Sequence, residues 1–526
     1  MSERVDVVVV GGGITGAGIA RDASLRGLRV ALFEQTDFAS GTSSRSSRLV
    51  HGGVRYLEHG HLHLVLESSR ERRRLLRIAP HLVRPLAFTW PVYAGARIPQ
   101  WKLSAGLALY DALALFRNVA PHRRLAPDDV LRAEPRLRTD ALRGGARYYD
   151  AAADDVRLVL ANIVGAAEQG SLVLNYAQVH GVKRDAQGCY VLDVLDRLTQ
   201  RAHRVRSRAV VFALGPWSDD VSHLIGDEVP KAGVVASLGA HIAVDRSRVG
   251  NAGALTLLAP VDGRVFFVVP AEDLAIVTTT ESPTQESPDN ARAGRADVQY
   301  LLSAVNHYFP AARLTPPDVV SAWAGVRPLA APNAKGELTS ASREHTIAEA
   351  QPGLYVVTGG KLTTYRAMAE EVVDRVAKPL LARFRRAVTQ RVPLPGGDVQ
   401  DAGDAIKALC LIVGDQRIAE RLIYAHGSRW PRVLGAANPE ELQLVTSDAP
   451  YLTAEVLHAI DHEFTVTLAD LLIRRMPLAF EQSDHGVAAA TRIAGIMAER
   501  FGWSASDVAS ALREYEEAVE QMFAVV

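Results

Sequence analysis

Six residues, VDVVVV (5–10), run into GGGITG (11–16). The chain then follows a helical pattern over 14–26 and a second strand-length apolar run over 28–33. A strand, a helix and a strand within about thirty residues form the unit of a parallel sheet. The glycines constrain the turn between them. Gly11 permits a tight turn, Gly13 lets a pyrophosphate approach the backbone, and Gly16 lets the helix lie close to the sheet. The free N–H groups at the helix start, around Ile14 and Thr15, then face the phosphates. Glu34 ends the second strand, is followed by Gln35, and is placed to accept two hydrogen bonds from a ribose diol. The competing reading is a glycine turn with no ligand, and the full strand–helix–strand–carboxylate context opposes it.

The totals narrow the partners. A length of 526 residues corresponds to about two to four domains. The formal net charge is zero, so bulk charge gives no case for a nucleic-acid partner. Cys189 and Cys410 stand far apart, which excludes a disulfide scaffold and a cysteine zinc site and suits a reducing compartment. The start MSERVDVVVV carries no signal-peptide pattern, and no run reaches the ~18 apolar residues of a membrane span. LSAGLALYDALALF (103–116) comes nearest. It fits a core-facing helix better than a membrane-surface one.

Further along, 62–79 reads as a charged helix stopped by Pro80, with its ERRR on a solvated face. Helix and strand patterns follow over 156–170 and 172–180, and a strand over 205–213. Short β-rich runs fill 236–310 and predict an antiparallel sheet. A last strand, 354–358, leads into a glycine loop and a long helix. VPLPGGDVQDAGD (392–404) is a boundary, and the remainder is patterned as helix. The predicted fold is an α/β, Rossmann-like dinucleotide-binding domain with a parallel sheet, an inserted antiparallel β-rich substrate domain, and an all-helical C-terminal domain. The division expected is 1–85, 150–235 and 316–390 for the dinucleotide, 86–149 and 236–315 for the substrate or cap domain, and 391–526 for the helical domain.

Two more segments favour FAD over NAD. Strand 205–213 ends in ALGPW (213–217), the kind of turn that flavoproteins bring back to the dinucleotide. Gly215 and Trp217 would lie there, with Leu214 where a threonine is usual. Val179, in Val-x-Gly, would sit beside the adenine. GGKLTT (359–364), with Gly360, Lys361, Leu362 and Thr363, repeats the strand–glycine–helix pattern. Its helix N-terminus would face the flavin N1–C2=O edge.

With GGGITGAGIARDASLRGLRVALFEQ (11–35), SSRSSRLVHGGVRYLEHG (43–60), AGVRPL (324–329), VTGGKLTTYRAMAE (357–370), VPLPGG (392–397) and YLTAEVLHAIDHEFTVTLADLLIRR (451–475), the chain resembles the FAD-dependent, aerobic-type glycerol-3-phosphate dehydrogenases. These lie in the D-amino-acid-oxidase-like flavoprotein superfamily. The resemblance spans nearly the whole chain. It implies non-covalent FAD, with Thr42, Ser43, Ser44, Ser46 and Ser47 along the cofactor and Arg55 and Tyr56 facing the substrate. It implies oxidation of sn-glycerol 3-phosphate at C2 to dihydroxyacetone phosphate, with hydride passing to flavin N5. It also implies electron delivery to a membrane quinone by a peripheral protein on the cytoplasmic face of the cell membrane. A homodimer is compatible with it.

Arg327 and Arg343 match the family's two anion-binding arginines, with Arg55 and Lys361 adding positive charge. Arg327, between apolar neighbours and a proline, asks for an anion. His241 is the expected base and Lys361 the alternative. Leu238-Gly239-Ala240 and Thr278-Thr279-Thr280-Glu281 depart from the family's Lys-Gly-Ser and Gly-Thr-Thr-Asp. His51 occupies a place where related flavoenzymes attach FAD covalently, and no bond is expected here. His59, His61 and His63 open a helix, where alternate residues do not share a face, so no metal is expected. Glu67, Arg70 and Arg74 read as a helix face. The alternatives are a glycerol-3-phosphate oxidase that makes peroxide, an oxidase of another hydroxy acid or amine, and a flavin-binding protein without turnover.

Overall fold

The computed structural model describes residues 4–58, 60–226, 234–330, 345–435, 438–447 and 449–526. Its first sheet has eight strands. The strands Leu354–Gly359, Arg201–Phe212, Arg4–Val10, Val30–Phe33 and Leu172–Leu174 lie side by side, all parallel. His345–Gln351 closes one edge in the antiparallel sense. Period-two alternation gives Arg4–Val10 two apolar faces. Val7 and Val9 pack on the helices Ile14–Leu25, Asp155–Ala167 and Tyr365–Leu380. Val8 and Val10 pack under the hairpin Ala177–Arg184 and Tyr190–Asp196. The strand–glycine–helix unit expected at the start of the chain is therefore the centre of this sheet.

The second sheet has ten strands and is antiparallel except where Ala254–Leu258 runs parallel to Val83–Tyr93. Its longest pairing joins Val234–Asp245 to Val319–Ala330. The expected FAD-binding segment 316–390 thus begins with a strand of the other sheet. Nothing in VVSAWAGVRPLA itself specifies which sheet edge accepts it.

Two further expectations need correction. Residues 236–310 are not all strand: Arg295–Tyr308 is a helix. Val298, Leu301, Leu302 and Val305 recur on its buried face, and the Asp297 carboxylate accepts from Gly294 N at its start. The ERRR of the helix Leu62–Ile78 is not a solvated face throughout. Glu71 and Arg72 are buried; Glu71 receives Arg366 Nε at 2.6 Å, and Arg72 meets Asp150 and Tyr110. Paired partners from other elements let these charges leave water.

Beyond residue 400 the described residues form helices and one hairpin, Leu444–Thr446 with Ala449–Leu452. The helix Gln100–Leu113 buries Leu103, Leu107 and Tyr110 as a core-facing helix would. No helix among the described residues is long and apolar enough to cross a membrane.

Candidate active site

A cavity of ≈ 1220 Å³ runs from the C-terminal ends of the parallel strands to the face of the second sheet. That is the crevice where open α/β sheets bind ligands. At the nucleotide end, Gly11 has φ +108°, and a Cβ on it would sit 2.5 Å from Ala213 O. A Cβ on Gly16 would sit 1.9 Å from Gly11 O and 3.4 Å from Val9 Cγ1, so this residue lets the helix lie close to the first strand and its turn; it does not itself line the cavity. Gly13, Ile14 and Thr15 do line it. Glu34 accepts from Gly12 N at 2.7 Å and Thr36 N at 3.0 Å. Burial pushes its pKa up, against those donors. Gln35 and Val179 border the same end. Gly215, Trp217, Gly360, Lys361, Leu362 and Thr363 close over the cavity from the other two strand ends.

The segment that follows the second strand lines one wall. Ser43 Oγ accepts from Ile14 N at 3.0 Å, Thr42 Oγ1 donates to Val326 O at 2.6 Å, and Ser46 Oγ donates to Asp155 at 2.6 Å. Asp155 is raised to about 6, chiefly by burial. Ser44 departs from expectation. It is the third residue of the turn Thr42–Ser44, buried, with its hydroxyl spent on Gly41 O, and it does not line the cavity.

Ser47 leads to the opposite end. Its Oγ lies 3.1 Å from His241 Nε2 and accepts from Thr278 Oγ1 at 2.9 Å. His241 sits on the strand Val234–Asp245 between Thr278 and Trp323 and stacks on the Trp323 ring, centroids 5.4 Å apart. Its pKa is pushed down to about 3 by burial, then by the charges of Arg327 and Arg48. The imidazole is therefore neutral at neutral pH.

Arg327 reaches the cavity from the neighbouring strand. It donates to Thr279 Oγ1 at 2.8 Å, and its Nη1 lies 3.8 Å from Glu281. A Cβ on Gly239 would lie 2.2 Å from its guanidinium, so the glycine makes its room. The two segments that depart from the family pattern are thus the ones that hold Arg327. Lys361 Nζ stands 3.9 Å over the Tyr56 ring, and both line the cavity. His51 also lines it, its N donating to Thr363 Oγ1 at 3.2 Å. Arg343, His59 and the side chain of Arg55 lie outside the described residues.

Sequence reasoning passed over Arg45 and Arg474, which also line the cavity. Arg45 stands within SSRSS, where only the serines drew attention. Arg474 comes from the helical C-terminal region, about 430 residues away in sequence.

Glycines where side chains would collide, a carboxylate at the second strand end, and a cavity longer than a small metabolite needs fit a dinucleotide. They define a dinucleotide-binding protein, and the family matches make it a flavin-dependent oxidoreductase. The model of the FAD dependent oxidoreductase family matches residues 6–375, and that of the C-terminal domain of alpha-glycerophosphate oxidase matches 387–508. The chain belongs to the glycerol-3-phosphate dehydrogenase family and is FAD-dependent. It is 34% identical to a glycerol-3-phosphate dehydrogenase of Synechocystis, covering 98% of this chain and 96% of the relative. It is 32% identical to an aerobic glycerol-3-phosphate dehydrogenase of Staphylococcus epidermidis, covering 98% and 94%. The solved glycerol-3-phosphate dehydrogenase of Bacillus halodurans complexed with FAD superposes with TM-score 0.81 at 31% identity, covering 99% of this chain and 96% of that one. An L-alpha-glycerophosphate oxidase of Mycoplasma pneumoniae shares the fold, with TM-score 0.57 and 17% identity over 71% of this chain.

Proposed function

We propose that this chain oxidises sn-glycerol 3-phosphate at C2 to dihydroxyacetone phosphate and passes the electrons to a membrane quinone. One observation carries the reading: Arg327 is held at the non-nucleotide end of the cavity within the same small region as His241, and Lys361 lines the same cavity. Guanidinium and ammonium groups recognise a phosphate dianion. Gly13, Glu34 and the 359–363 loop would hold FAD non-covalently, and the bound flavin would supply the hydride acceptor at N5.

The rest is the work of the protein's own groups. Arg327 holds the phosphate, and Tyr56 and Lys361 wall the substrate; Arg343 and the side chain of Arg55, outside the described residues, are assigned to the same phosphate by the family resemblance. His241, neutral and buried, takes the proton from the C2 hydroxyl. A dianion on Arg327 cancels part of the field that holds the imidazole down, so substrate binding itself raises the strength of the base. The cavity end is bounded by units we assign as 1–85, 150–235 and 316–390 for FAD and 86–149 and 236–315 for substrate, with the strand Val319–Ala330 shared between them.

The quinone reading, and a place on the cytoplasmic face of the membrane, rest on the helix Gln100–Leu113. Its outer side is as apolar as its inner side: Trp101 is 73% exposed, and Phe116, just beyond its end, 77%. Leu109 and Leu115 lie exposed between them. Exposed basic residues adjoin this face, Lys102 and Arg117 in the segment itself and Arg70, Arg73 and Arg77 on the helix Leu62–Ile78. Arg73 is lowered by desolvation and then by Arg117, Arg77 and Arg74, which places these charges together. Aromatic tips with a basic border suit an anionic bilayer. His61 and Arg97, which directly precede these two helices, line the cavity.

The substrate reading is tested by steady-state turnover with a soluble dye acceptor. Glycerol 3-phosphate should exceed glycerol, glycine and 2-hydroxy acids by ~100-fold or more in kcat/KM. Equal turnover of an unphosphorylated alcohol would overturn it.

A further inference from the structure

Two loops bracket the nucleotide end of the cavity. One runs from Glu34 to Asp37 after the second strand, and the other is the turn at Asn175 and Tyr176 that leads into the strand Ala177–Arg184, whose Ala177–Val179 line the cavity. They are tied to each other, Tyr176 N donating to Thr36 O at 2.8 Å and Asn175 Nδ2 to Asp37 at 3.1 Å. Both are also tied to one short stretch of the C-terminal region, the helical turn Asp470–Arg475.

The ties are charged and buried. Arg474 Nε and Arg475 Nη1 both donate to Asp37 Oδ2, and Arg475 Nη2 reaches Oδ1 at 2.9 Å. Tyr176 donates its hydroxyl to Asp470 at 2.6 Å, and Arg474 Nη2 donates to the same carboxylate at 2.8 Å. Asp470 is in turn fixed by Val466 N and Thr467 N at 2.9 Å each. Asp37, Asp470 and Arg475 are all excluded from solvent. Arg474 itself lines the cavity, with Ala469 and Ile473 of the same turn.

Asp37 stands three residues after Glu34, and its negative charge opposes ionisation of Glu34. A carboxylate accepts from a ribose diol most strongly when ionised. Two arginines on Asp37 cancel its field and fix the loop that carries Glu34.

We propose that Arg474 and Arg475 are positioning residues for FAD: from the C-terminal domain they clamp Asp37 and, with Asp470 on Tyr176, hold both nucleotide-end loops in their cofactor-binding arrangement. On this view the helical domain retains the cofactor as well as covering the substrate domain. The proposal rests on the reading of Glu34 as the ribose acceptor.

The test is the FAD dissociation constant of the full-length apoprotein, measured by quenching of flavin fluorescence, with the unfolding midpoint of each apoprotein recorded beside it. Arg475→Met should weaken FAD binding by ~10-fold or more. Adding Asp37→Asn to it, which removes the uncompensated charge, should restore affinity to within about threefold of wild type. Arg474→Met keeps the Arg475 fork in place and serves where Arg475→Met does not fold; a loss of about fivefold or more is expected. Unchanged FAD affinity in a folded Arg474→Met or Arg475→Met protein would overturn the proposal, as would an Asp37→Asn double variant that shows no recovery. Glu34→Gln separates the two ideas. If it binds FAD as wild type does, the ribose reading fails. If it weakens FAD while the arginine variants do not, the clamp alone fails.

Discussion

Arg327 owes its reach into the cavity to a missing side chain on Gly239, and its hold there to Thr279. Arg327→Ala should raise the KM for glycerol 3-phosphate by ~100-fold with FAD content unchanged, since a charge-assisted phosphate contact is lost and no nucleotide contact is touched. Steady-state kinetics with a flavin absorbance ratio checks both halves; a parallel loss of FAD would contradict the assignment. His241→Asn should lower kcat by ~100-fold or more. The same substitution carries a pH signature. The folded-state value of about 3 lies below the ordinary histidine value, so this group's contribution to stability is present above about pH 6.5 and is lost as pH falls toward 3. In denaturant melts from about pH 6 to 4, the variant should lose stability less steeply than wild type, by about one bound proton. Equal slopes would mean the imidazole is not held neutral by burial. At this scale the sequence singled out Arg327, which stands among apolar neighbours where an unpartnered charge is costly, and His241 for its imidazole chemistry beside the family resemblance; both line the cavity. It did not disclose Thr279 and Glu281 as the residues that hold Arg327, because that contact crosses between strands about fifty residues apart. It also did not disclose the inward turn of Ser44, which depends on a single short helical turn.

The glycine turn after the first strand shows how an element can be legible down to single atoms. Spacing alone predicts that Gly16 lets the helix lie close to the sheet; a Cβ there would meet Val9 Cγ1 of the first strand at 3.4 Å and Gly11 O at 1.9 Å, which leaves no room for alanine. Gly16→Ala should therefore yield protein lacking its yellow flavin absorbance, or none that folds; a yellow, active variant would contradict the placement. The helix Leu62–Ile78 shows the opposite case. Its ERRR looks solvated, yet the Glu71 carboxylate is buried against Arg366 Nε and Nη2 at 2.6 and 2.9 Å. Breaking one side of such a pair leaves a buried charge, so Glu71→Gln should cost about 3 kcal/mol in chemical denaturation. A charge pattern along one helix cannot reveal a partner from a helix about 300 residues later. The helix Arg295–Tyr308 was readable from the spacing of Val298, Leu301, Leu302 and Val305, but the β-rich runs on its N-terminal side hid it.

Across the whole molecule, the two sheets meet along one cavity. At its nucleotide end the glycine turn and Glu34 come from one local stretch and were legible there, whereas Arg474 and the ties to Asp37 arrive from the C-terminal region. Its substrate end is built by strands that converge only in the fold, and it was read only in part. The apolar outer side of Gln100–Leu113 belongs to this scale as well, since Arg97, just before this helix, lines the cavity. Replacing both Trp101 and Phe116 with serine should abolish co-sedimentation with anionic phospholipid vesicles and cut quinone reduction by ~10-fold or more, while dye-linked turnover persists. Vesicle binding equal to wild type would remove that face from the account. The central claim, that a phosphorylated alcohol delivers its hydride to FAD in this cavity, is tested most directly by anaerobic titration. Addition of glycerol 3-phosphate to the purified yellow protein without air should bleach the oxidised flavin absorbance and leave dihydroxyacetone phosphate in equal amount. A flavin that stays oxidised under excess glycerol 3-phosphate would contradict the account.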